Sequence, residues 1–159
     1  MTSLKKRLTA TALMLALPCM ALAQQGQDAG LGTWKLNVAK STFKPGPAPV
    51  SETRTYATTG DSEQMTSHTV MPGGQALDIS TTSKPDGKSY PLSGSPDIDA
   101  VRVSRPNSRQ TNVEELRGGE VIGHFNRTVS RDGKTLRVTV TTRLRSGVTD
   151  HELRVYDRQ

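Results

Sequence analysis

The sequence predicts an all-β protein, a single closed up-and-down antiparallel barrel of about ten strands. Three observations lead to it. Short runs of alternating apolar and polar residues recur along the chain, and no stretch sustains apolar residues at helical spacing. Between the runs stand tight-turn sequences that join consecutive strands as hairpins. A meander of that many strands leaves unpaired backbone at both edges, and closing the sheet on itself removes them.

The first element is a leader. Lys5, Lys6 and Arg7 precede the apolar run from Ala10 to Leu17, and Ala21-Leu22-Ala23 offers the small residues of a cleavage site, so residues 1–23 read as a signal peptide and Gln24 as the mature start. The run is too short to span a membrane. Pro18 before Cys19 spoils a lipidation site, so the expectation is a released, periplasmic or secreted domain over 24–159 with no membrane anchor.

The first strand is expected at 31–38, with Trp34, Leu36 and Val38 on one face. Lys44-Pro45-Gly46-Pro47-Ala48-Pro49 follows. Prolines at that density deny helical hydrogen bonds, so residues 44–49 should form an extended strap with no helix between the first two strands. Further strands are expected near 51–58, 63–71, 75–83, 88–92, 98–105, 109–116, 119–130, 134–144 and 148–158. The turns between them carry Gly60-Asp61, Pro72-Gly73-Gly74, Pro85-Asp86-Gly87, Gly94-Ser95-Pro96, Pro106-Asn107, Gly118-Gly119, Asp132-Gly133 and Ser146-Gly147. Alternation puts Phe125, Arg127 and Val129 on one face of the strand near 119–130, and Leu136, Val138 and Val140 on one face of the next. Lys35, Asn37, Asn126, Thr128, Arg137, Thr139 and Thr141 should meet water.

Composition narrows the function classes. Without the leader, 18 Lys and Arg face 15 Asp and Glu, a net charge of +3, and the basic residues are dispersed instead of forming a block with interleaved aromatics. Nucleic acid is therefore not an expected partner. The single cysteine leaves with the leader, which excludes thiol chemistry and Cys-based zinc sites and tolerates an oxidising compartment. Aromatics are only 4% of the chain, so the barrel cannot be packed solid with large side chains. Two alternatives stay open: a narrow barrel filled with Val and Thr, or a wider one enclosing a partly polar cavity.

Gly32-Thr33-Trp34 on the first strand resembles the Gly-x-Trp signature of the calycin barrels, which include lipocalins and fatty-acid-binding proteins. LGTWKL near the start, RDGKTLRVTV, and the C-terminal GVTDHELRVYDRQ are similar to the ends of fatty-acid-binding proteins. SYPLSGSPDIDAV, the Asp-Gly-Lys turns and the Val-Tyr-Asp ending resemble small secreted bacterial lipocalin-like proteins. The likeness covers nearly the whole mature chain in layout, but only its two ends are motif-like. It departs where the proline strap stands in place of a helical lid.

The resemblance implies that Arg154 and Tyr156 match the Arg-x-Tyr of the last strand and that Arg127 lies near an inward arginine on an earlier one. With Trp34 these are the candidate ligand-binding residues, and two guanidiniums with a phenol inside an apolar wall suit a carboxylate. A structural alternative has one of the arginines stacking on Trp34 to cap the closed end. A one-residue shift would instead turn Leu153 and Val155 inward.

Other motifs carry less. His68, His124 and His151 fall on three different strands without ligand spacing, so no metal is expected. Asp97 and Asp99 read as loop caps, and the adjacent Glu114 and Glu115 point to opposite faces and make no acid–base pair. No serine sits in a nucleophile elbow. The expectation is a monomeric non-enzyme without cofactor that binds a small amphipathic or acidic ligand, or else an envelope interaction or stress protein that uses the barrel as a scaffold.

Overall fold

A computed structural model describes residues 27–159, and the signal peptide expected over 1–23 lies outside them. The chain forms a closed antiparallel up-and-down barrel of ten strands with one short strand added. In order the strands are β1 Gly32–Leu36, β2 Thr42–Lys44, β3 Ser51–Thr59, β4 Ser62–Val70, β5 Ala76–Ser83, β6 Asp86–Ser93, β7 Ala100–Asn107, β8 Gln110–Arg117, β9 Glu120–Val129, β10 Thr135–Arg143 and β11 Thr149–Arg158. From β3 onward each strand pairs with the next, and β1 closes the circle by pairing with both β3 and β11.

The expected first strand is the element the structure redraws most, while Asp86-Gly87 and Pro106-Asn107, expected as turns, fall within β6 and β7. It ends at Leu36, and Val38 leaves the core face for a 3₁₀ turn, Val38–Lys40, where it is 36% exposed. Side chains hold that turn: Asn37 Oδ1 accepts from Lys40 N, Asn37 Nδ2 donates to Asp157, and Ser41 Oγ donates to Asn37 O. The chain then returns to the wall as β2, with Phe43 opposite Glu152. β1 and β2 thus share β11 as one interrupted strand. Across the interruption the ladder is patched by Asn37 N, donating to Val155 O at 2.8 Å, and by Ser41 Oγ, accepting from Val155 N at 2.9 Å. The strap proper carries no helix and runs from Pro45 to Val50, so the expected lack of a helix between the first two long strands holds only beyond the 3₁₀ turn.

Interior faces follow the alternation. Leu136, Val138 and Val140 point inward with Arg127 and Val129, while Asn126, Thr128, Arg137, Thr139 and Thr141 are exposed. Apolar packing concentrates at one end, where Trp34, Leu36, Tyr56, Val129, Leu136 and Tyr156 form a cluster with Ala29 and Leu31 against it. Residues 28–31 plug this end: Ala29 N donates to Ser108 O, and Trp34 Nε1 donates to Gly30 O at 2.7 Å. Arg158 lies over the Trp34 ring at 4.1 Å and donates to the carbonyls of Ala29, Leu31 and Gly133. An arginine does cap the closed end on Trp34, but it is Arg158 and neither Arg127 nor Arg154.

At the opposite end β5 and β6 are joined at only two positions, Ser80 with Ser93 and Thr81 with Leu92. Gly94 makes this close approach possible, because it holds a φ of +89° and a Cβ there would overlap the Asp78 carbonyl oxygen. Gly73 has a similar φ of +94° with nothing nearby. Gly73→Ala should cost about 1–2 kcal/mol from backbone conformation alone. Gly94→Ala should cost at least ~2 kcal/mol more from the overlap. Urea unfolding of the two variants measures the difference directly.

Candidate functional site

The inward positions beyond the apolar cluster enclose a cavity of about 300 Å³. Most of the apolar lining comes from β5 to β8, with Leu77, Ile79, Leu92, Val101, Val103 and Val113. Short β-branched and aliphatic side chains there cannot reach across the barrel, so the space stays unfilled. The charged and polar groups of the lining are Arg54 from β3, Glu115 from β8 beside Val101, Thr142 from β10, and Glu152 and Arg154 from β11, with Phe125 of β9 and Val140 of β10 among them. Tyr56, Glu63, Thr111 and Arg127 form the floor toward the plugged end. Over the open end the 94–99 and 144–148 loops are latched together. Asp97 Oδ1 accepts from Arg145 N at 2.6 Å and from Arg117 Nη2 at 3.3 Å, and Arg145 Nε donates to Pro96 O at 2.7 Å.

Two buried ionic clusters shape the interior. The first centres on Glu52, whose side chain is fully buried. Its Oε1 accepts from Arg54 Nε at 3.0 Å and Tyr156 Oη at 2.9 Å, and its Oε2 from Arg154 Nη1 at 2.8 Å. Arg154 Nε donates in turn to Glu152 at 2.6 Å. Burial pushes the Glu52 carboxyl up, but the Arg54 and Arg154 guanidiniums and the Tyr156 hydroxyl outweigh it and hold the group below the usual carboxylate range. Burial, with Glu52 beside it, raises the Tyr156 phenol and keeps its proton on the hydrogen bond.

The second cluster joins the cavity floor to the plug. Arg127 donates to Asp28 Oδ2, to Thr111 Oγ1 at 2.8 Å and to Glu63 Oε1 at 3.3 Å, while Arg105 Nη2 reaches Asp28 at 2.9 Å and Glu63 at 2.7 Å. Arg127 also lies over the Tyr56 ring at 4.1 Å. Burial, together with the hydrogen bond shared with Asp28, pushes Glu63 up to about 7. Burial opposes ionisation of Asp28 as well, but the Glu63 proton, Arg127 and the Gly30 N–H hold it low.

Two further polar groups face the cavity. Glu115 is 7% exposed, and one of its oxygens takes the Thr142 hydroxyl. Gly123 makes room for that carboxyl, since a Cβ would stand 2.7 Å from Glu115 Oε2. Burial raises Glu115. The Tyr56 hydroxyl is buried without a hydrogen-bond partner among the described residues.

Of the sequence candidates, Arg154 and Tyr156 both face inward and meet at Glu52, whereas Val155 lies on the outer side against the 3₁₀ segment. Arg127 also faces inward but belongs to the Asp28–Glu63 cluster, so the two guanidiniums do not converge. Trp34 sits in the plug and does not line the cavity. His68, His124 and His151 are exposed, Glu114 points out to Arg102, and Asp97 and Asp99 tie loops. Sequence reasoning missed Glu52, Arg54, Tyr56, Glu63 and Glu115. The first three alternate on one strand as Glu52-x-Arg54-x-Tyr56, and that spacing puts all of them on one face.

The ten-strand barrel is compatible with a calycin-like fold. No protein-family model matches the chain, and no curated protein matches it.

Two consequences can be measured. Glu52→Gln leaves Arg54 without its buried counter-charge and Arg154 with Glu152 alone, and should cost about 3–5 kcal/mol, seen as a lower urea midpoint. Glu63 binds its proton more tightly in the folded than in the unfolded chain, so its contribution is fully present below its unfolded pKa and is lost as pH rises through about 7. Stability should therefore fall between roughly pH 5 and 7.5, and Glu63→Gln should flatten that part of the profile.

Proposed function

We propose that the protein is a secreted or periplasmic barrel that holds a small amphipathic molecule in its interior. The observation that carries this reading is the cavity of about 300 Å³, lined mainly by aliphatic side chains with a few polar and charged groups set among them. That size falls at the lower edge of typical ligand pockets, roughly 300–1,000 Å³, and a few placed polar groups among apolar ones are what such pockets use to orient a ligand. An apolar chain lying on Leu77, Ile79 and Val103 would leave water, and each buried methylene contributes ~0.8 kcal/mol. The leader read at residues 1–23 supports delivery out of the cytoplasm.

The test fills the space. Val113→Trp should project an indole into the cavity while leaving the barrel folded. The wild type should bind the uncharged fluorophore 1-aminoanthracene with one-to-one stoichiometry, and the variant should lose at least tenfold in affinity. Equal binding by a folded variant would place the dye elsewhere and remove the support for an interior site.

A further inference from the structure

We infer that the ligand is a cationic amphiphile, an aliphatic body with a protonated amine as its head, and that the head is seated on the carboxylate of Glu115. This rests on the interior-binding reading above and narrows it. The charges of the cavity lining do not balance. Arg54 is paired with Glu52, Arg154 with Glu52 and Glu152, Arg127 with Asp28 and Glu63, and Asp97 with Arg117. Every guanidinium on the cavity is thus engaged, and an incoming anion would compete with buried carboxylates for the same donors. Glu115 and Asp150 line the same cavity and make no ion pair among the described residues. Arg54 and Arg154 are already matched by Glu52 and Glu152, so the charge left over on this part of the wall is negative.

Register brings those two carboxyls to one place. Glu115 stands opposite Gly123, Gly123 opposite Thr142, and Thr142 opposite Asp150, a single row across β8 to β11. Because Gly123 has no side chain, the buried Glu115 carboxyl reaches over β9 and takes the Thr142 hydroxyl on one oxygen. Its other oxygen accepts no hydrogen bond among the described residues. Asp150 lies on the far flank of Thr142, beside the 144–148 loop at the open end. Burial alone opposes ionisation of Glu115; with an ammonium against it the group is a carboxylate, and the N–H donors of the head meet its free oxygen. Quaternary heads, which have no N–H, are held by aromatic faces instead. The two rings on the cavity, Tyr56 and Phe125, each already carry a guanidinium, Arg127 at 4.1 Å and Arg54 at 5.0 Å from the ring centre. A metal ion is matched no better, since no group of three His, Cys, Asp or Glu ligands assembles among the described residues.

Isothermal titration at pH 7.4 with decylamine, 1-decanol, decanoate and decyltrimethylammonium, each below its aggregation threshold, varies the head at fixed chain length. Decylamine should bind one-to-one and roughly tenfold or more tighter than each of the other three. Glu115→Gln keeps the shape and the Thr142 contact but removes the charge, so its melting temperature should stay level or rise. In that variant decylamine should lose roughly tenfold or more in affinity while decanol changes by less than about threefold. Asp150→Asn should cost decylamine about threefold, and no change there removes Asp150 from the site. Should Glu115→Gln not fold, the wild-type order of the four probes decides alone. Decanol or decanoate binding as tightly as decylamine overturns the inference and leaves the interior-binding reading standing, and so does decylamine affinity that survives Glu115→Gln. Equal binding of decyltrimethylammonium overturns the hydrogen-bonded head. Failure of all four probes to bind sinks the interior-binding reading itself.

Discussion

The buried carboxylate of Glu52 is the contact on which the barrel's closure depends. β1 joins β3 to β11 only as far as Leu36, and β2, which resumes along β11, has no ladder to β3 among the described residues. Toward the open end the wall is therefore not closed by backbone hydrogen bonds. Glu52 stands on β3 at that seam and takes Arg154 and Tyr156 from β11, so a side-chain ion pair does there what a ladder does elsewhere. Out of water the charge-assisted bonds are strong, and three donors leave the carboxylate satisfied.

The interior is divided accordingly. Below the seam, large side chains pack around Trp34 and the 28–31 plug, and Arg127 and Arg105 stitch Asp28 to the wall. Above it the inward residues of β5 to β7 are small or aliphatic, and the arginines of β3 and β11 are tied to carboxylates of the same two strands. Neither set can collapse into the middle. A core with few aromatics thus resolves the choice between a narrow, filled barrel and a wider, hollow one in favour of the second, with the plug supplying the packing and the ion pairs supplying the rigidity.

Most of the barrel was legible because strand alternation and turn chemistry are local. The run of Trp34, Leu36 and Val38 was misleading for the same reason: its period continues through Val38, whereas the turn that breaks it is held by Asn37 and Ser41 and anchored to Asp157, which lies far along the chain. The face shared by Phe125, Arg127 and Val129 could be read from period, but whether Arg154 and Tyr156 or Leu153 and Val155 turn inward stayed open without the register. The partners of the two arginines could not be read, since Glu52 is 102 residues from Arg154 and Asp28 is 99 from Arg127 in sequence. Register decided the rest. Pairing Trp34 with Arg158 on the neighbouring strand puts that guanidinium over the indole, and a sequence reading without register had no means to choose it over the other two.

Partner assignment also changes what the arginines mean. Seen as isolated guanidiniums in a barrel interior, Arg127 and Arg154 suggest a site for an anion. Seen with Asp28, Glu63, Glu52 and Glu152 in place, the same residues are cross-braces whose charge is already spent, and removing either would expose a buried acid. The polar groups that carry no bracing duty are then the informative ones. Tyr56 holds its ring against Arg127 and so contributes to the frame, while its hydroxyl makes no direct hydrogen bond among the described residues. Gly123 gives up a side chain so that Glu115 can lie against β10, placing a carboxyl on the cavity wall without a counter-ion. A barrel that spent every polar group on its own closure would have no use for either arrangement, and these two stand on the wall of the same unfilled space.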